Sequence, residues 1–274
     1  MSLADAFRFD GKRAVVVGGA TGMGAAAAEV LVDAGAEVVV MDVAPITAGG
    51  VRALHVDLAD RAAIDAAVEE CGGRVDALLA CAGVADGTEG IERINFIGHR
   101  HLIDRMLDRE MLGRGSAIGF ISSAAGLGWE ANLPLINELL DLADFDAAVA
   151  WVEAHHTADY MSSKQVVCAY VASRAFSLLH QGIRINAICP GPTDTPLARA
   201  NRDTWLGFGA DYRAEAGIEV STPREQAYPL VFLCSDAAAA ITGITMVTDV
   251  GYMSSGVTGS FPAASVIADL LLNR

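Results

Sequence analysis

The stretch RAVVVGGATGMGAAAAEV, Arg13 to Val30, constrains the fold more than any other in this 274-residue chain. A β-branched run ends in glycine, and an alanine-rich run of high helix propensity follows. Gly18, Gly22 and Gly24 fall between the two. Larger side chains there would stop the backbone from turning sharply and the helix from packing on its strand. Such a turn leaves the N–H groups of the helix start, here around Thr21 and Met23, facing a space that suits phosphate oxygens. A tight strand-to-helix turn without a ligand is the alternative reading of the same glycines.

The pattern repeats along the chain. EVVVMD, RALHVDL, VDALLACAG, SAIGFISS, IRINAICPG and TMVTDVG read as strands two to seven. They are continuous apolar runs, as strands covered on both faces must be. Helical stretches over roughly 60–71, 89–110, 159–181 and 223–235 lie between them. Strands joined by helical crossovers predict an α/β fold: a doubly wound, Rossmann-like parallel sheet of about seven strands with helices on both faces. A single domain over residues 1–274 is expected. Two segments exceed what a connection needs. Residues 127–158 carry Phe145, Ala148, Val149 and Val152 at i, i+3, i+4 and i+7, which predicts a helical insertion. Residues 193–222 form a long, Gly-containing connection of the kind that becomes a lid.

Composition narrows the partners. A net charge of −15 leaves no basic footprint for nucleic acid or an anionic membrane surface. The uncharged run Gly115 to Trp129, 15 residues, is too short and too rich in Gly and Ser to span a bilayer. The opening MSLADAFRFDGKR lacks the architecture of a signal peptide. The five cysteines, 71, 81, 168, 189 and 234, are odd in number and scattered. They argue for reduced thiols in a cytoplasmic protein, against a disulfide framework and against a zinc site. His99 and His101 diverge on a helix, and no metal is expected.

Asp42 closes the second strand, 18 residues after Gly24. A carboxylate there accepts hydrogen bonds from the adenosine ribose of a dinucleotide and repels a 2′-phosphate. Neither the glycine turn nor Val43 to Gly50 holds Lys or Arg, so NAD is expected over NADP. Asp57, followed by Leu58 after the third strand, is either an adenine contact or a cap.

The stretch YMSSK, Tyr160 to Lys164, stands out because the chain has 17 Arg and only two Lys. Residues i and i+4 share a helix face, so the phenol and the ammonium point into one cleft. Tyrosine near its ordinary pKa of about 10 is a poor base at neutral pH, and a nearby ammonium favours the phenolate. Arg would not substitute, because it keeps its proton and has a planar fork of different reach.

These residues occur in an order that resembles the short-chain dehydrogenase/reductase family over nearly the whole chain. The markers are Gly18 to Gly24, Cys81-Ala82-Gly83, Asn95 in INFIGH, Ser123 in ISSAAG, YMSSK, and PGPTDT at 190–195. The long insertion before Tyr160 and PGPTDTPL resemble the bacterial 3α-hydroxysteroid dehydrogenase/carbonyl reductase subgroup. The resemblance implies that Tyr160 is the general acid/base and that Ser123 stabilises charge on the substrate oxygen, with Ser122 the second choice. Lys164 then tunes Tyr160 and bonds the nicotinamide ribose. Asn95 holds a water between Lys164 and solvent, or else is a helix-kink or cap residue. Ser162 and Ser163 read as packing residues.

Cofactor contacts are implied at Cys81, Ala82 and Gly83, at Pro190 and Gly191 against the nicotinamide, and at Thr193 and Thr195 against its carboxamide or the pyrophosphate. Where the family often has Asn-Asn-Ala-Gly and Asp-Gly-Gly, this chain has Ala80-Cys81-Ala82-Gly83 and Asp249-Val250-Gly251. The resemblance assigns nothing to the tail after residue 254.

The expected activity is hydride transfer between a nicotinamide cofactor and a secondary alcohol or carbonyl. Leu197, Trp205, Leu206 and Phe208 in the lid predict a small, hydrophobic substrate such as a hydroxysteroid or terpenoid alcohol. Trp205 is read either as a substrate contact or as lid packing. A non-catalytic NAD(H)-binding sensor and a lyase or epimerase on the same fold are the alternatives, separable by net cofactor consumption. A homo-oligomer is expected, a dimer before a tetramer, because the family commonly pairs through the helix that carries Tyr160 and Lys164.

Overall fold

The computed structural model describes residues 2–272. Seven strands form one sheet: β1 (Arg13–Val17), β2 (Glu37–Asp42), β3 (Val51–His55), β4 (Ala77–Ala80), β5 (Ala117–Ile121), β6 (Arg184–Pro190) and β7 (Thr245–Thr248). Their order is β3-β2-β1-β4-β5-β6-β7, and every neighbouring pair is parallel. A short α1 (Leu3–Ala6) precedes the sheet. The crossovers are α2 (Gly22–Asp33), α3 (Arg61–Cys71) and α4 (Gly98–Asp108), then α5 (Leu133–Leu140), α6 (Phe145–His155) and α7 (Tyr160–His180) between β5 and β6. Between β6 and β7 lie α8 (Pro196–Ala200), α9 (Arg202–Trp205), α10 (Ala210–Ala216) and α11 (Pro223–Cys234), and α12 (Tyr252–Thr258) and α13 (Ser265–Leu271) follow β7.

Period-two alternation divides each central strand between two cores. Val15 and Val17 of β1, Val39 and Met41 of β2, and Leu78 of β4 face α3, α4 and α7. Ala14 and Val16, Val38 and Val40, and Leu79 face α2 and α11. Burial on both faces explains why these strands carry no polar alternation. Each buried Val or Leu side chain contributes roughly 1.5–3 kcal/mol. From β1 the sheet builds one way through β2 and β3, and from β4 the other way through β5, β6 and β7. Connections leaving β1 and β4 therefore diverge, and a crevice opens at the strands' carboxyl ends.

The stretch 127–158 is largely helical. α6 buries Phe145, Ala148, Val149 and Val152, the four positions of the apolar stripe. Asp144 caps it by accepting from the Ala147 N–H at 2.8 Å. Arg100 of α4 donates to the Leu139 carbonyl at 3.2 Å, and Asn132 donates to Gln165 of α7 at 2.8 Å. The segment is thereby fastened to both helices. The tail is also placed. Tyr252, Met253, Ala264 and Ala268 are buried with Cys168 and Cys189, and Phe208 and Tyr212 pack against them. Among the described residues, no helix is long and apolar enough to cross a membrane.

Candidate active site

The glycine turn sits at the carboxyl end of β1. Gly18 has φ 84° and donates its N–H to the Met41 carbonyl at 2.7 Å. A Cβ on Gly18 would overlap the Ala82 backbone, and one on Gly24 would overlap the Gly18 carbonyl. Gly22, at φ 59°, faces Thr195, whose Cγ2 would lie 3.4 Å from an added Cβ. The turn is a cradle that side chains would fill. Asp42 braces it from β2: Oδ2 accepts from the Ala20 N–H at 2.8 Å and Oδ1 from the Ala44 N–H at 2.9 Å. Each oxygen keeps lone-pair capacity for another donor.

Two adjoining cavities open from this turn. The first, about 250 Å³, is lined by Gly18, Thr21, Gly22, Met23 and Gly24, by Asp42, Asp57 and Leu58, and by Cys81, Ala82 and Gly83. Among the described residues no Lys or Arg lines it. Asp57 does not cap α3, whose N-cap is Asp60; it accepts from the Ala59 N–H at 2.9 Å in the turn before that helix and lines the cleft. The second, about 280 Å³, holds Ser122, Ser123, Tyr160, Lys164, Pro190, Gly191 and Thr193. Met23, Cys81, Gly83, Thr195 and Leu197 border both, so the two form one cleft. Thr193 donates to the Gly191 carbonyl at 3.0 Å. Thr195 accepts from the Ala198 N–H at 3.1 Å and keeps its own proton to donate.

The two serines are used differently. Ser122 is 2% exposed and donates to the Lys164 carbonyl at 2.9 Å. Ser123 caps the following turn by accepting from Ala125, and it hydrogen-bonds the Tyr160 hydroxyl. Lys164 is 4% exposed, donates to the Ile121 carbonyl at 3.1 Å and lies 5.4 Å from the Tyr160 ring centroid. Burial pulls its ammonium down to about 8, so it stays charged at pH 7. Tyr160 departs from the expected tuning. Desolvation pushes its hydroxyl above the ordinary value, and the Ser123 hydrogen bond pulls the other way. The ammonium sits over the ring face rather than at the hydroxyl, so burial wins and the Tyr160 hydroxyl is held protonated.

Asn95 lies behind the cleft, in a single π turn (Arg93–Ile97) that leads into α4. Its Oδ1 accepts from the Val84 N–H at 2.8 Å; its Nδ2 donates to the Val84 carbonyl at 3.1 Å and to Ser163 Oγ at 3.0 Å. Ser163 is therefore more than packing. The Trp205 ring lies 4.8 Å from that of Tyr160, tilted by 43°. Leu197, Trp205 and Phe208 wall the second cavity, whereas Leu206 lies in an outer groove with Arg199 and Glu219. Leu271 of α13 also reaches the cavity wall, a residue that no motif marks. Among the described residues no cluster of His, Cys, Asp and Glu is placed to hold a metal ion.

Comparison with known proteins agrees with this geometry. The short chain dehydrogenase model matches residues 12–134, and the enoyl-(acyl carrier protein) reductase model matches 138–253. The chain is 31% identical to a cis-4-hydroxycyclohexanecarboxylate dehydrogenase of Sinomonas cyclohexanicum, over 87% of this chain and 95% of that one. It is 30% identical to the 3-alpha-hydroxysteroid dehydrogenase/carbonyl reductase of Comamonas testosteroni, over 86% and 95%. The crystal structure of a 3-alpha-hydroxysteroid dehydrogenase from Pseudomonas sp. B-0831, complexed with NADH, superposes with a TM-score of 0.72 at 27% identity, covering 91% of this chain and 99% of that one. The chain belongs to the short-chain dehydrogenase/reductase family, oxidoreductases that act on alcohols with a nicotinamide cofactor.

Proposed function

We propose that the protein is an NAD-dependent dehydrogenase/carbonyl reductase for a neutral, hydrophobic secondary alcohol or ketone. One observation carries the reading. Ser123, Tyr160 and Lys164 meet in a cavity walled by Leu197, Trp205 and Phe208, and that cavity continues into a cleft that ends at Asp42. The glycine cradle fits a pyrophosphate, with Thr195 free to donate to it. Asp42 suits ribose hydroxyls, and the absence of Lys and Arg from the first cavity, among the described residues, supports NAD over NADP.

A bound nicotinamide supplies or accepts the hydride. The chain handles the proton and the charge. Ser123 donates to the substrate oxygen and stabilises the negative charge that grows there. Tyr160, protonated at neutral pH, delivers its proton to that oxygen and receives one in the reverse direction. Lys164 holds positive charge beneath the tyrosine ring, where a developing phenolate is stabilised. Among the described residues no charged side chain other than Lys164 lines the second cavity, which suits a substrate without a carboxylate or phosphate. Residues 193–222 act as the lid in this reading. Five free thiols support a cytoplasmic setting, and a homodimer is the assembly we propose.

The test is net oxidation of NADH or NADPH against a panel of neutral ketones. NADH should be preferred by at least about tenfold in kcat/KM, and Asp42→Ala should erode that preference. Binding without net oxidation, or a preference for NADPH in the wild type, would contradict the proposal.

A further inference from the structure

The loop between β4 and α4 belongs to the cleft: Ala82, Gly83 and Val84 line it. Its backbone is gripped from α4 and the turn before it. His99 donates from Nε2 to the Ala82 carbonyl at 3.0 Å, and Asn95 takes both the N–H and the carbonyl of Val84. The same loop reaches the first turn of α7. Asp86 Oδ1 accepts from the Tyr160 N–H at 2.6 Å, a helix-end donor with no partner inside the helix. Ser163, bonded to Asn95, donates to the Tyr160 carbonyl at 2.7 Å. Asp159 is the N-cap of α7, accepting from the Ser162 N–H at 2.9 Å and from the Ser162 hydroxyl at 2.6 Å, which leaves the Tyr160 N–H to Asp86.

We infer that Asp86 is a positioning residue for Tyr160: it latches the first turn of the catalytic helix to the wall of the cofactor cleft, so that cofactor occupancy and tyrosine placement are coupled. This rests on the role proposed above for Tyr160. Asp86 also brings a negative charge close to the phenol and disfavours its ionisation. The other polar or titratable groups facing Tyr160 are Ser123 after β5, Cys189 of β6, and Lys164 on its own helix; α9 presents the Trp205 ring to it and sets Thr204 in the same cavity wall. Asp86 is the exposed member of the set, so its influence is the one that salt should screen.

Two variants separate geometry from charge. Asp86→Ala removes the hydrogen bond and the charge, whereas Asp86→Asn keeps an acceptor and removes the charge. Amide hydrogen exchange over residues 160–163 needs no substrate. In Asp86→Ala it should speed up about tenfold, and protection by added NADH should weaken, while Asp86→Asn exchanges like the wild type. In turnover, Asp86→Ala should lower kcat about tenfold with the substrate KM within about twofold, and Asp86→Asn should restore most of it. The pH midpoint of kcat/KM in Asp86→Asn should move down by about 0.3 pH unit, and the shift should fade in 1 M salt. Wild-type exchange in Asp86→Ala overturns the latch, and so does a kcat equal to that of the wild type. If the wild type shows no turnover but exchange responds as described, the latch stands and the proposed activity falls.

Discussion

At the scale of single residues, burial decides the ionisation states. His99 is 1% exposed, bonded to Ala82 and packed edge-on against Phe120. Burial pulls its ring down to about 4 from the ordinary 6.5, so the folded protein holds it neutral. Between those values the unfolded chain binds a proton that the folded chain refuses. The contribution is fully present above pH 6.5 and is lost as pH falls toward 4, for a total of about 3 kcal/mol. Urea midpoints measured from pH 7 down to 4 should therefore fall more steeply for the wild type than for His99→Gln. Parallel slopes would show that His99 is not the buried neutral group described. Tyr160 follows the same physics: a helix spacing of four places Lys164 near the phenol, but only the packed structure shows that desolvation outweighs it. Asp86 was not legible in the sequence at all, because its partner is 74 residues away and no spacing rule links them.

At the scale of elements, the turn after β7 departs from what its backbone wants. Val250 sits at φ 53°, next to Gly251 at φ 90°. A β-branched residue in the left-handed region is strained by roughly 1–2 kcal/mol. Val250 is 54% exposed, so no packing compensates; the Tyr212 hydroxyl donating to its carbonyl at 3.0 Å helps hold the turn. Val250→Gly should raise stability by about 1 kcal/mol, read as a higher urea midpoint or Tm, even after the entropy cost of glycine in the unfolded chain. A variant no more stable than the wild type would contradict this. Other elements differ in how far the sequence reveals them. α6 was legible because its four apolar positions share one face and all four are buried. α12 and α13 were not, because each spans seven residues, too short for a repeating stripe, and their burial depends on Phe208 and Tyr212 from the segment between β6 and β7. The π turn around Asn95 was not legible either, since it is a change of hydrogen-bond register that leaves the apolar pattern intact.

At the scale of the whole molecule, strand order makes the site. Asp42, Gly18, Gly83 and Ser123 stand at or just beyond the carboxyl ends of β2, β1, β4 and β5, which lie close together in the sheet. α7 then carries Tyr160 and Lys164 across that edge, and the segments after β6 and β7 close the far wall with Trp205 and Leu271. The strand runs and the glycine turn announced this layout, whereas the walls of the second cavity come from segments with no period of their own. Residues 127–158 cover part of α4 and α7, yet Phe176 on the outer half of α7 remains 74% exposed. The measurement that tests the central claim most directly is steady-state turnover and NADH affinity of Tyr160→Phe. If Tyr160 moves the proton, kcat should fall about 10²- to 10⁴-fold while the NADH Kd stays within a few-fold. Retention of wild-type turnover by Tyr160→Phe would remove Tyr160 from the reaction and with it the proposed mechanism.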